Sequence, residues 1–152
     1  DLEGNTLVLF NYVEKHGEPL YDLINSNVKE DRKVFFVHGG TEVVDREEVR
    51  LITEEEDNAV IVASYGTFST GINIKRLHNI IFASPSKSRI RNLQSIGRVL
   101  RKGEGKSIAT LYDIADDIGG QNYTIKHLNE RVTIYNEENF KYEVIKINLK
   151  AS

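Results

Sequence analysis

Five short runs of this chain are almost wholly apolar and rich in β-branched or aromatic residues: TLVLF (6–10), KVFFV (33–37), AVIVA (59–63), NIIFA (79–83) and SIATLYDI (107–114). A strand with one wet face alternates apolar and polar residues, so runs this continuous need cover on both faces. Parallel sheets meet that need, because each crossover lays a helix against the sheet. Helical patterns do lie between the runs. Residues 19–25 read as a short helix, and Asp45 with Glu48 three residues on forms a capping-box-like start for a helix through EEVRLITEEE. The alternation predicts an α/β domain with one mostly parallel, doubly wound sheet.

After Gly119 and Gly120 the pattern changes. Ile125, Leu128, Val132 and Tyr135 recur at helical spacing, and Val144, Ile145, Ile147 and Leu149 then suggest a strand. The expected organisation is a principal domain over residues 1–118, with residues 119–152 adding an accessory helix and an edge strand packed on the same domain.

Several function classes are excluded by what is absent from the sequence. It has no cysteine, so a disulfide framework, a thiolate metal site and a thiol nucleophile are all unavailable; the four histidines are scattered, and no metal site is expected. No apolar run approaches the ~18 residues of a membrane span, and the opening DLEGN resembles no signal peptide. A soluble, cytoplasmic monomer is expected. The chain starts at Asp1 and contains no methionine, which suggests a fragment or processed product.

The net charge of −3 conceals an asymmetry: residues 85–106 hold seven Lys/Arg against Glu104 alone, a local +6, so the remainder carries −9. A solvated helix face would account for one basic segment; a phosphate site would too. The rim of the fold favours the second reading. Ligands of such sheets bind at the carboxyl ends of the strands, and the segments there are NYVEKHGEP (11–19), HGGT (38–41), SYGTFSTGIN (64–73) and SPSKSR (84–89). Any one could be an ordinary turn. Four on one rim, all offering glycines, hydroxyls or basic groups, suit an extended anion.

The segment LQSIGRVLRKGEGK (93–106) sharpens this reading. At about 100° per residue, Ile90, Leu93, Ile96 and Leu100 form the stripe that would pack on the sheet. Arg91, Gln94, Arg98 and Arg101 form a second stripe, with Gly97 between the two. A mid-helix glycine costs about 1 kcal/mol relative to alanine, which suggests that something passes close to the backbone beside Arg98. Arginines a turn apart can hold a phosphate as charge develops during its transfer.

These residues carry a resemblance. Gln94-Ser-Ile-Gly97-Arg98-Val-Leu-Arg101 resembles motif VI of the superfamily 2 helicases, QxxGRxxR, and residues 63–73, ASYGTFSTGIN, resemble their motif V. The spacing between the two fits, and so does the strand ending in Ala-Ser-Pro between them. Residues 6–11 are similar to motif IV, and VHGG (37–40) to the loop after the next strand. The similarity covers nearly the whole chain and extends to the recombination and repair helicases of T-even phages.

The resemblance implies the second, C-terminal of two RecA-like domains of an ATP-dependent DNA helicase. The lysine loop and the acidic box for Mg2+ would then lie on an N-terminal domain of the same polypeptide, and ATP with Mg2+ would be shared with that domain, this one binding none alone. By position, Arg98 and Arg101 would act as arginine fingers and Gln94 would help sense nucleotide, while Gly71, Asn73 and Gly97 would lie near it. His38, Gly39, Gly40 and Thr41, with Ser64, Thr67 and Thr70, would touch phosphates of single-stranded or branched DNA, or of an RNA–DNA hybrid. Position 73 is Asn where many relatives have Asp, and the motif V loop is one residue longer than the common form. Which of Ser64, Thr67 and Thr70 meets a phosphate therefore stays open.

Three imitations fail on physical grounds. Gly103 to Ser107 ends like a Walker A loop, but position 100 is Leu and the order is helix, loop, strand, the reverse of a phosphate cradle. Gly66 to Gly71 with His38 imitates a serine hydrolase, yet the elbow requires GxSxG and this is GxxSxG. Asp113, Asp116 and Asp117 suit a solvated loop better than a metal site. The competing reading of the whole chain is a stand-alone nucleic-acid-binding or regulatory module without turnover.

Overall fold

In the computed structural model, which describes residues 2–69, 77–83, 109–116 and 123–148, each of the five apolar runs is a strand. They are β1 (Thr6–Phe10), β2 (Val34–Val37), β3 (Val60–Ser64), β4 (Asn79–Phe82) and β5 (Thr110–Asp113). All are parallel, in the order β2-β3-β1-β4-β5. The α-helices among the described residues are α1 (Glu18–Asn27), which a π-helical turn over Val13–Gly17 leads into, α2 (Val43–Glu55), the short α3 (Tyr65–Ser69) and α4 (Tyr123–Glu137).

The two-sided burial predicted from the apolar runs is visible in β1, where every residue is buried. Successive side chains leave a strand on opposite faces. Leu7 and Leu9 join Ile61, Ile80 and Phe82 on one face, which Val49 of α2 and Ile134 and Tyr135 of α4 cover. Val8 and Phe10 join Val60 and Val62 on the other, covered by Leu20, Tyr21 and Ile24 of α1. The chain winds outward from β1 to β2, returns through β3, and crosses to β4 on the other side, so the winding reverses at β1.

The amino ends of the strands are fastened by Asn5, which has no exposure. Its Nδ2 donates to the carbonyls of Thr53 (3.0 Å) and Glu56 (2.7 Å) at the C-terminal end of α2, and its Oδ1 accepts from the Ala59 N–H (2.8 Å). Helix ends leave carbonyls without intrahelical partners; here one side chain meets two of them. Gly4 beside it has φ +95°, and a Cβ there would lie 2.7 Å from the His78 side chain.

Two local expectations are corrected. Helix α2 begins at Val43, with Glu42 as N-cap and no side-chain cap bond, so Asp45 lies in the first turn and the capping box does not form. The preceding turn closes at Thr41, whose N–H donates to the His38 carbonyl, and the helix starts as soon as the chain leaves it. The strand expected over Val144, Ile145 and Ile147 is also absent: residues 141–148 form no ladder, with Val144 70% and Ile147 75% exposed. After α4 the chain turns at Asn139 (φ 57°), and Tyr142 passes the ring of Tyr135 at 6.3 Å. An alternating pattern makes a strand only where an edge receives it; Leu149 lies outside the described residues.

Candidate nucleic-acid interface

Strand direction brings the segments after β1, β2 and β3 to one rim. The turn after β2 is fixed by its own side chains. His38 N–H donates to Thr41 Oγ1 (3.0 Å), Thr41 N–H to the His38 carbonyl (2.9 Å), and Gly40 N–H to His38 Nδ1 (3.0 Å). The His38 ring also packs on Phe36, centroids 5.2 Å apart. Because Nδ1 accepts an N–H, the neutral ring carries its proton on Nε2, the nitrogen left to donate outward. Of the two glycines only Gly40 has a packing reason. Gly39 is exposed with no atom within 4 Å of where a Cβ would stand, while a Cβ on Gly40 would sit 2.9 Å from the His38 ring.

Arg46 belongs to this turn although the sequence did not single it out. Its Nε donates to the Thr41 carbonyl at 2.9 Å, so a guanidinium stands beside two exposed glycines. Arg50, one turn on, is instead taken up within α2 by Glu47 and Glu54 (2.8 Å), and its hydrogen bond holds the Glu47 carboxyl below the usual range. The available signal was the spacing: an arginine in the first turn of a helix can reach back to the loop that feeds it.

After β3, Ser64 Oγ and Thr67 Oγ1 lie 2.7 Å apart, and Thr67 N–H also donates to Ser64 Oγ (3.3 Å). Both residues are buried. The two hydroxyls thus cap the short α3 and shape this segment; they do not project from it. Tyr65 is buried against Phe82, centroids 5.7 Å apart, which anchors the same turn to the core. Thr70, Gly71, Asn73, Gln94, Gly97, Arg98 and Arg101 lie outside the described residues.

At the end of β5, Asp113 accepts from Arg131 Nε (2.6 Å), Arg131 Nη2 (2.7 Å) and the Tyr135 hydroxyl (2.6 Å). Its carboxylate therefore fastens α4 to the sheet, which corrects the reading of Asp113 as part of a solvated loop; Asp117 lies outside the described residues. Burial, then the Asp113 charge, push the Tyr135 phenol well above its ordinary range. No group of three or more His, Asp or Glu among the described residues is placed to hold a metal ion, and no described helix is long and apolar enough to cross a membrane.

Comparison with known proteins places this geometry. The family described as helicase conserved C-terminal domain matches residues 1–103. The chain is 39% identical over 160 residues to the ATP-dependent DNA helicase uvsW of Enterobacteria phage T4, covering 97% of this chain and 31% of that protein. The crystal structure of T4 UvsW superposes with a TM-score of 0.70 at 37% identity, over 90% of this chain and 30% of that one. Domain 2 of the DEAD-box helicase Mss116p, solved on an RNA duplex, matches at 0.60 with 15% identity, over 73% of this chain and 42% of that one. The Sulfolobus solfataricus SWI2/SNF2 ATPase core, solved with dsDNA, matches at 0.57 with 16% identity, over 88% and 27%. The last two establish the RecA-like fold alone. The chain spans about a third of the length of the curated relative it matches.

Proposed function

This chain belongs to the helicase conserved C-terminal domain family, and from that premise we propose that it is the second motor domain of an ATP-dependent DNA helicase or translocase acting on branched DNA or R-loops. The observation that carries the reading is the self-bonded turn at His38 to Thr41, braced by Arg46, on the rim that also receives the segment after β3. A turn whose own hydrogen bonds fix its shape loses little entropy on meeting a phosphate, and glycines let a backbone approach closely. His38 Nε2–H, the Gly39 and Gly40 backbone and the Arg46 guanidinium supply the contacts. Ser64 and Thr67 hold the neighbouring segment in shape, and of the three hydroxyl residues Thr70 is the one proposed to contact phosphate.

ATP with Mg2+, held chiefly by an N-terminal RecA-like domain of the same polypeptide, supplies the phosphoryl group whose hydrolysis powers movement. From this chain Arg98 and Arg101 neutralise charge on the terminal phosphate, Gln94 senses it, and Gly71, Asn73 and Gly97 line the approach. The test is steady-state ATPase of the intact two-domain enzyme with saturating DNA. Arg101→Ala lowers kcat by about 10³-fold or more, the scale of an arginine finger, with DNA affinity retained. Arg101→Lys does not restore it, because lysine keeps the charge and loses the planar fork. Wild-type turnover in both Arg98→Ala and Arg101→Ala would reduce the arginine stripe to a solvated face and sink the proposal.

A further inference from the structure

Helix α2 carries a repeat that the fold does not use. Val44 is followed three and four positions on by Glu47 and Glu48, and Leu51, seven residues after Val44, is followed in the same way by Glu54 and Glu55. Residues three, four and seven apart share one side of a helix. The two apolar side chains therefore form a row, about 10 Å apart along the axis, each bordered by a pair of carboxylates. The row points away from the sheet. Val49 and the fully buried Thr53 mark the opposite side of α2, which meets the core, while Val44 is 77% and Leu51 51% exposed.

The charges beside the row are sorted. Arg50 bonds Glu47 and Glu54, and Arg46 is drawn back to the Thr41 carbonyl, so both arginines of the helix are engaged within the molecule. Glu48 and Glu55 are exposed and have no ion-pair partner among the described residues. A solitary exposed apolar residue is ordinary; two that recur with the glutamates at a seven-residue interval make a seam. Charge decides what can cover it. A second copy would bring the same glutamates against these, and a nucleic-acid backbone or an anionic lipid surface would be repelled as well. The complement is a cationic helix with apolar side chains seven apart to meet Val44 and Leu51, and Lys or Arg beside them to meet Glu48 and Glu55.

We propose that the outer face of α2 is the docking surface for a Lys/Arg-rich amphipathic helix of a partner protein. The inference stands apart from the nucleic-acid reading and does not rest on it. Fluorescence anisotropy with three labelled synthetic peptides of about 21 residues, three heptads each, tests it. One has a leucine row bordered by lysines, the second has the same row bordered by glutamates, and the third keeps the lysines with alanine in place of leucine. This chain binds the first roughly ten-fold or more tighter than the third, the scale of burying one large apolar side chain, and does not bind the second. Leu51→Ser or Val44→Ser removes most of that margin. Glu48→Lys combined with Glu55→Lys turns the preference to the glutamate-bordered peptide. Equal affinity for the leucine and alanine peptides reduces the face to diffuse negative charge and overturns the site, as does a Leu51→Ser chain that binds like the wild type. Binding of none of the three overturns it too. A dimer in sedimentation that Leu51→Ser abolishes would give the row to a second copy and overturn the assignment to a partner protein.

Discussion

Asn5 is a residue whose importance cannot be read from its neighbours in sequence. A polar residue before an apolar run looks like a loop terminus, yet its amide serves two carbonyls of α2 and the N–H that opens β3. Removing it leaves buried backbone groups unpaired at about 1–3 kcal/mol each. Asn5→Ala therefore lowers unfolding stability by roughly 3 kcal/mol, measured by urea denaturation, and Asn5→Asp is no remedy because a carboxylate would face two carbonyl oxygens. Glycines behave similarly. Gly17→Ala destabilises because its methyl meets the Phe10 ring, while Gly39→Ala leaves the melting temperature nearly unchanged, open space surrounding that position. A melting temperature equally lowered in both would mean that the turn after β2 is packed. Arg46 was missed for the same reason as Asn5: its hydrogen bond to Thr41 depends on where α2 begins, and the expected N-cap at Asp45 lies three residues beyond the observed one at Glu42.

At the scale of elements, β1, β3 and β4 were legible because burial on both faces removes the polar alternation and leaves a continuous apolar signature, whereas β5, at the sheet edge, alternates exposed and half-buried residues and departs from that expectation. Helix starts and the last strand were not, since each depends on a partner the local pattern does not contain. The fastening of α4 to β5 is such a case. Asp113 and Arg131 lie 18 residues apart in the chain, and Arg131 is only 2% exposed. Breaking a buried pair from one side costs about 3–5 kcal/mol, so Arg131→Ala loosens α4 and lowers stability on that scale. Tyr135→Phe costs about 1 kcal/mol through its lost hydrogen bond. Its pH dependence has a definite sign. The folded-state pKa of Tyr135 is raised, so the stability it contributes is complete below the unfolded value of about 10 and is lost as pH climbs beyond it. Melting temperatures from pH 8 upward should show the wild-type advantage over Tyr135→Phe constant at first and shrinking above about pH 10; a constant gap throughout would show that the phenol ionises normally.

For this chain as a whole, charge and the proposed division of labour between two motor domains set the expectations. The net charge is −3, and the proposed contacts are with phosphates, so affinity of the isolated chain for DNA is weak and falls roughly ten-fold or more between about 50 and 200 mM salt. Salt-insensitive binding in a fluorescence titration would contradict a backbone contact. The same preparation is expected to turn over no ATP above a buffer blank, because in the proposed reading Arg98 and Arg101 act on a nucleotide held by another domain. Family and fold were legible from short motifs, since QxxGRxxR and the segment after β3 keep their spacing whatever surrounds them. A cleft lined by Asn11, Ala83 and Ile114 was not, because these follow β1, β4 and β5, which only the sheet brings together.

The parallel sheet also separates two kinds of mutational risk. Asn5, Gly4 and His78 secure one end of the strands, and the turns that would meet nucleic acid occupy the other, roughly 15 Å away along β1. Sites that far apart with no shared partners contribute additively. Lineages of such a domain can therefore retune its thermal tolerance through the fastened end while substrate preference drifts at the opposite end, neither change constraining the other.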